Sequence, residues 1–507
     1  MTQMTYYWHD YETFGLDRHL DRPVQFAGIR TDSALNVIAE PDVFYCDCAP
    51  DYLPSPEACL ITGITPQVAH ARGGKCEAEF ARRIREVFRT PGTVSIGYNS
   101  LRFDDEVTRF LFWRNLMDPY AREWDDGCSR WDLFPLVQAL WALRPAGIVW
   151  PTVKIPEGGE RISFRLEHLS AANGLEHSHA HDAMSDVYAT LALARLIREK
   201  NPRFWQWAFE NRSKAKVRSA FTAGDGTLCR PAVWIDGRAG QEKGFIRIAF
   251  PICETEKKEI ILWDCREDPE ELLALDPEAI CRRAWKRSEM KEGEKELSLF
   301  KLRPNQFPVV CANLNVLKQS ALARFSIDMN SVNRHIAWLA QHDSDLIGPI
   351  SLSSEHELEK GADADGALYE GFTSNADRAV MQRTESLSPQ ALTDAVCEGR
   401  IHFEDPRLSE LLWRKRARNW PESLTDDERI RWKAFCGARL QGLVPGTLSL
   451  TEYMDKVDAA ADADCQALEA GQMTEERFEA RQQILDDLYN WGEFVGSAAQ
   501  DIDGGAK

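Results

Sequence analysis

Asp10 and Glu12 stand two residues apart at the end of the run Thr5-Tyr6-Tyr7-Trp8-His9-Asp10-Tyr11-Glu12. This run reads as a strand, where alternate side chains share a face, so both carboxylates point one way and Tyr11 the other. Two neighbouring carboxylates repel unless a cation lies between them, and their hard oxygens suit a divalent ion such as magnesium. Gly97-Tyr98-Asn99-Ser100-Leu101-Arg102-Phe103-Asp104 adds a third acid, with a strand ending at Gly97, a loop carrying Asn99 and a helix starting at Asp104. His181-Asp182-Ala183-Met184-Ser185-Asp186 adds a fourth acid and an imidazole. Asp182 can cap the following helix, which leaves His181 in the loop before it and Asp186 in the second turn of the helix. An imidazole, with its reference pKa of about 6.5, suits a base at neutral pH. Each piece alone also fits a solvated pair, a helix cap or a surface histidine. The ordered conjunction Asp-x-Glu, Asp, His-x-x-x-x-Asp is far more specific.

The elements that must hold these residues follow an α/β pattern. Strands are expected at 5–8, 24–31, 34–39 and 93–98. Helices are expected at 77–88, where Phe80, Ile84 and Phe88 share a face, at 104–115 and at 182–200. From Asn201 the pattern changes to short β-like runs at 231–236, 244–250, 259–263 and 307–313. Residues 351–367 are polar, acidic and glycine-containing, as in a linker. Amphipathic helices follow at 406–418, 426–440 and 474–496. A chain of 507 residues accommodates about three domains at ~150 residues each.

Composition narrows the function classes. The net charge of −19 argues against a protein that simply coats nucleic acid. The acids concentrate late: 28 against 21 bases in residues 1–200, 21 against 23 in 201–350, and 31 against 17 in 351–507. A local basic groove therefore remains possible, because surface fields are set by charges within ~8–10 Å. The 13 cysteines form no CxxC pair, which gives no support to a zinc ribbon or a thioredoxin motif and points to reduced thiols. No apolar run reaches the ~18–20 residues of a membrane span. The N-terminus lacks the basic and apolar regions of a signal peptide, so a cytoplasmic location is expected. Residues 203–221 interleave Arg203, Arg212, Lys214, Lys216 and Arg218 with aromatics, which fits either a strand-binding channel or an amphipathic helix. The cluster Arg414, Lys415, Arg416 and Arg418 has the same two readings.

The ordered acids resemble those of the DEDD exonucleases, in the branch that carries histidine before its last aspartate. The segments HDYETFG (9–15), ITGITPQ (61–67), GYNSLRFDDEVTR (97–109), SRWDL (129–133), SFRLEHL (163–169) and HDAMSDVYAT (181–190) are similar to those of the bacterial exonuclease I family. So are Leu368-Tyr369-Glu370-Gly371-Phe372 and Arg416-Ala417-Arg418-Asn419-Trp420-Pro421. The resemblance implies a ribonuclease H-like exonuclease domain (5–198), a small SH3-like β-rich domain (199–352), a linker (353–367) and a C-terminal helical domain (368–498). It implies 3′→5′ hydrolysis of single-stranded DNA to 5′-mononucleotides, in DNA repair and recombination, by a monomer.

The expected cofactors are two Mg2+ ions, with Mn2+ able to substitute. Asp10 would bridge both ions, Glu12 and Asp186 would share the one nearer the attacking water, and Asp104 would hold the other through waters. His181 would be the base. Arg165 matches a nucleotide-binding position of the family, and Glu12 is also placed to touch the terminal sugar. Arg109, Tyr120, Trp124 and Lys214 are further candidates for guiding the strand. The family also binds the acidic C-terminal tail of single-stranded DNA-binding protein. Arg144 and Trp207 fit that context, and Lys318 or Arg324 would compensate for Val316 and Met329, which stand where the family tends to carry arginine. The chain departs from the family there and in an extended acidic C-terminus.

Three other readings compete. One is an exonuclease of the same fold acting on RNA or on double-stranded ends. Another is a binding protein on a decayed nuclease fold, against which the full set of four carboxylates and a histidine argues. The third is a zinc site using His177, His179 and His181.

Overall fold

The computed structural model describes residues 4–156, 158–175, 182–354 and 361–500. It comprises two compact units: Met1–Arg130 with Ser178–Tyr188 and Leu358–Lys507, and Trp131–His177 with Ala189–Glu357.

The first unit is built on a sheet of order β3-β2-β1-β4-β5, formed by β1 (Thr5–Thr13), β2 (Pro23–Thr31), β3 (Asp42–Tyr45), β4 (Thr93–Gly97) and β5 (Ser129–Asp132). β1 lies between β2, antiparallel to it, and β4, parallel to it. One face of β1 is apolar: Tyr7 and Tyr11 pack with Phe26, Phe80, Ile84, Phe88, Val107 and Leu111. The helical spacing of the last five seats the Glu77–Phe88 and Asp104–Arg114 helices there. The strand expected at 34–39 is not formed. Leu35 takes a left-handed backbone and only Val37 bridges, to Thr31, so the chain turns before the true edge strand β3.

The C-terminal helices complete the same unit. Leu440, Tyr453, Val457, Leu485 and Leu488 share a core with Phe14, Val24 and Tyr52. Here the cluster around Arg418 has a structural role: Arg414, Lys415, Arg416 and Arg418 are all buried. Arg418 pairs with Asp51 at 2.8 Å and Asp365 at 2.6 Å, and Asp365 also pairs with Arg22 at 3.0 Å. Lys415 donates to the Asn115 carbonyl. Removing one partner from a buried ion cluster costs ~3–5 kcal/mol, so these cations are bound to folding rather than offered to a ligand. Asp365 falls in the stretch whose composition reads as linker, yet it is fully buried.

The second unit carries an antiparallel sheet. In chain order after the β6–β7 hairpin (Thr152–Lys154, Glu160–Ile162) come β8 (Ala232–Ile235), β9 (Ile246–Glu254), β10 (Ile260–Asp264), β11 (Leu299–Leu302) and β12 (Val310–Cys311). The last five form a sheet of order β11-β10-β9-β8-β12. Val233, Ile248 and Trp263 pack with Trp141, Phe325, Leu339 and Leu346. No helix among the described residues is long and apolar enough to cross a membrane.

Candidate active site

β1 presents Asp10 and Glu12 on the face opposite Tyr11. The aromatic face fixes that orientation: the Tyr11 hydroxyl meets Thr108 Oγ1 at 3.0 Å, and the His9 ring lies edge-on to Phe88 at 4.8 Å. His9 is a core residue, and burial lowers its pKa to about 3. It is held neutral and takes no part in the acid cluster.

Asp104 is the first residue of its helix, and its Oδ1 accepts the Tyr11 backbone N–H at 3.2 Å. This bond ties the helix start to β1 between the two strand acids. Gly97 makes the tight approach possible, since a Cβ there would lie 2.6 Å from Ser100 Cβ and 3.2 Å from the His9 carbonyl. Asp105 locks the helix from behind by pairing with Arg122 and, at 2.8 Å, with Arg130. Burial opposes charge on Asp105, but the two guanidiniums win and hold its carboxyl well below the usual range.

Asp186 lies in the first turn of the Ala183–Lys200 helix rather than the expected second. Asp182 caps this helix, accepting the Ser185 N–H at 3.3 Å, as the sequence leads one to expect. Carboxylate oxygens of Asp10, Glu12 and Asp186 all lie within 4.8 Å of one another. Asp104 is outside that tight set but close enough for its charge to act on Asp10. Burial, then the charges of Asp104, Glu12, Asp186 and Asp182, push the Asp10 carboxyl well up. Burial, then Asp186 and Asp182, raise Glu12 to about 8. Converging, partly buried carboxylates of this kind fit a hard divalent cation, which would relieve their repulsion and displace their protons. His181, His177 and His179 lie outside the described residues.

The pKa shifts carry a testable sign. A carboxyl whose folded pKa is raised stabilises the protein below its unfolded pKa and loses that contribution as pH rises through the folded one. For Glu12 the window runs from 4.5 to about 8. Metal-free protein should lose stability across it, and magnesium should restore the loss. We expect magnesium to raise Tm more at about pH 8.5 than at about pH 6, with protons released on binding. Equal Tm shifts at both pH values, without proton release in calorimetry, would contradict a cation held by these acids.

The other candidates are more dispersed. In the first unit, Arg109 is ion-paired with Glu106 at 2.6 Å and Glu123 at 2.8 Å, and also donates to the Tyr369 hydroxyl. It lies over the Tyr120 ring, so both are engaged within the protein. Trp124 is 68% exposed. In the second unit, the Arg165 side chain is 74% exposed and pairs with Glu167 at 3.2 Å. Lys214 is exposed at the start of the Lys214–Ser219 helix. Trp205 is buried against Trp131, so part of the basic-aromatic run is core. Trp207 is half-buried beside Phe204. Arg144 donates to the Val316 carbonyl at 3.1 Å, which brings it to the segment that precedes Lys318. Lys318 is exposed nearby in sequence, whereas Arg324 lies over the Trp141 ring and donates to its carbonyl.

Sequence reasoning missed Gln25. It is 1% exposed on β2, directly opposite Glu12 in the strand register. The available signal was an amide within the apolar run Val24-Gln25-Phe26-Ala27.

Three family models account for most of the chain: the Exonuclease model over residues 7–194, the Exonuclease I SH3-like domain over 212–349 and the Exonuclease I C-terminal domain over 362–495. Exodeoxyribonuclease I of Escherichia coli K12 is 41% identical over 469 residues, covering 90% of this chain and 96% of that protein. The chain belongs to the exonuclease I family. Its fold is therefore the ribonuclease H-like exonuclease domain followed by the SH3-like and C-terminal domains, and the protein is a nuclease. Among solved exonuclease I structures, the zinc-bound E. coli complex with single-stranded DNA matches with a TM-score of 0.84 at 36% identity, covering 98% of this chain and 100% of that one. An SSB/exonuclease I structure in complex with the inhibitor CFAM matches with a TM-score of 0.83 at 35% identity, covering 97% and 100%.

Proposed function

We propose that this exonuclease I family member removes nucleotides from the 3′ end of single-stranded DNA, using Asp10, Glu12, Asp104 and Asp186 to hold two magnesium ions. The observation that carries the reading is the convergence of Asp10, Glu12 and Asp186 within 4.8 Å, beside Asp104, in a chain of this family. Bound there, the ions supply positive charge that polarises the scissile phosphate and offsets charge on the attacking and leaving oxygens. Manganese has the same taste for oxygen ligands and should substitute.

The protein's own residues do the rest. Asp10, flanked by the other three acids, would serve both ions, while Glu12 and Asp186 would help to hold one and Asp104 the other. His181 accepts the proton of the attacking water as its oxygen bonds to phosphorus. The bond from phosphorus to the 3′-oxygen breaks, that oxygen takes a proton from solvent, and a 5′-mononucleotide leaves. Arg165 and Lys214, exposed and cationic, suit phosphates of the strand. Trp124 offers an exposed ring for stacking. The similarity to a complex with single-stranded DNA supports this substrate, and a DNA-degrading role supports a cytoplasmic place in repair and recombination.

Matched DNA and RNA oligonucleotides, single-stranded and duplex, test substrate choice. Single-stranded DNA should be degraded fastest. Equal rates on RNA or on blunt duplex ends would move the assignment to the RNA-directed or double-strand-end reading.

The similarity to an SSB/exonuclease I structure supports a second contact, with the acidic tail of single-stranded DNA-binding protein. Arg144, Lys318 and Trp207 supply the kinds of side chain such a tail needs, cations for its carboxylates and an apolar ring for its aromatic residue. In fluorescence anisotropy, a labelled tail peptide should bind at micromolar protein, and Arg144→Ala should weaken it. No binding, or equal binding by the variant, would remove this site.

A further inference from the structure

Gln25 is a buried polar side chain in the middle of the sheet, and every polar atom of its amide is used. Its Nε2 donates to Asp182 Oδ1 at 3.0 Å and to the Tyr45 hydroxyl at 3.0 Å. Its Oε1 accepts the Ala183 N–H at 3.4 Å. Asp182 and Ala183 begin the helix that carries Asp186, and the Asp186 N–H bonds the Asp182 carbonyl at 3.1 Å. Opposite residues of an antiparallel pair share a face of the sheet, and the opposite number of Gln25 is Glu12. One side chain therefore joins the strand position facing Glu12 to the first turn beneath Asp186.

We propose that Gln25 is a positioning residue that sets the spacing between the Glu12 and Asp186 carboxylates and so tunes the site's affinity for a divalent cation. The inference rests on the metal-binding reading above. Only an amide satisfies the three contacts together: two N–H groups donate to Asp182 and Tyr45, and the carbonyl accepts from Ala183. A methionine keeps the length and loses all three bonds. A glutamate loses both donors and adds a charge beside Asp182 and Glu12. The repulsion among Asp10, Glu12 and Asp186 pushes the helix start away from β1, and Gln25 opposes that push. Loss of a group that orients metal ligands typically lowers metal affinity or activity by ~10–100-fold.

The test compares wild type, Gln25→Met, Asp182→Ala and Asp186→Ala as full-length proteins. Manganese affinity is measured by calorimetry, magnesium dependence by single-turnover cleavage, and metal-free binding of single-stranded DNA by anisotropy. Gln25→Met should weaken manganese binding ~10–100-fold and raise the half-saturating magnesium concentration in parallel. Excess magnesium should recover much of the rate, and metal-free DNA affinity should stay within about twofold of wild type. Asp182→Ala breaks the same contact from the other side. It should shift the metal dependence in the same direction, and it decides the question should Gln25→Met not fold. Unchanged manganese affinity and magnesium dependence in the folded variants would overturn the proposal. If Asp186→Ala loses manganese binding while Gln25→Met and Asp182→Ala do not, only the positioning role falls. If Asp186→Ala itself retains manganese binding and cleavage, the metal-binding reading falls and this inference with it.

Discussion

Asp10→Ala or Asp186→Ala is expected to reduce cleavage below detection while leaving affinity for single-stranded DNA largely intact. Burial raises the Asp10 pKa, and the charges of Asp104, Glu12, Asp186 and Asp182 all push it further. Asp186 belongs to the set of three acids whose oxygens lie within 4.8 Å. On the proposed two-metal reading, removing either would leave too few ligands to hold the ions against water, whereas strand affinity would draw on cations and rings elsewhere in the chain. The same substitutions should make the metal-free protein more stable near pH 8, because Asp10 is a buried carboxylate repelled by its neighbours and Asp186 is one of the charges that repel it. A single-turnover assay, an anisotropy titration and a melting curve report the three outcomes. Cleavage by either variant at a rate comparable to wild type would refute the two-metal assignment.

His181→Ala is expected to lower the single-turnover rate by ~10²–10⁴-fold, the span of a lost general base, with the fold and the metal affinity retained. The motivation is its place in His181-Asp182-Ala183-Met184-Ser185-Asp186, one residue before the cap of the helix that carries Asp186. A base and a metal ligand fail differently. Excess magnesium should not rescue His181→Ala, whereas it should rescue a variant whose defect is metal affinity. A single-turnover rate equal to wild type would show that another group takes the proton.

Much of this was legible in the sequence because periodicity and spacing are local. The alternation of Asp10, Tyr11 and Glu12 gave the two faces of β1, and Phe80, Ile84 and Phe88 gave the Glu77–Phe88 helix over its full length. The segment 34–39 misled because Val37 and Ile38 have strand-forming side chains, while the left-handed backbone at Leu35 is not announced by a glycine. The ion-paired arginines were harder still. Arg418 and Asp365 lie far from Asp51 and Arg22 along the chain, so a window of residues sees cations near solvent and an acidic linker where folding makes one buried cluster. The partners of Arg109 are hidden in the same way, since Glu123 and Tyr369 come to it only in the folded protein. Gln25 shows in the sequence only as an amide within an apolar run, and its role is hidden because its partners, Tyr45 and the adjacent Asp182 and Ala183, come from two segments distant along the chain.

The central claim is tested most directly with a single-stranded DNA oligonucleotide labelled at its 5′ end, incubated with the purified full-length protein in magnesium or in excess chelator and resolved on a denaturing gel. With magnesium, the label should remain on progressively shorter fragments as nucleotides leave from the 3′ end, and chelator should stop the reaction. Immediate release of the label as a mononucleotide, or cleavage that continues undiminished in chelator, would contradict a magnesium-dependent 3′→5′ exonuclease built on Asp10, Glu12, Asp104 and Asp186.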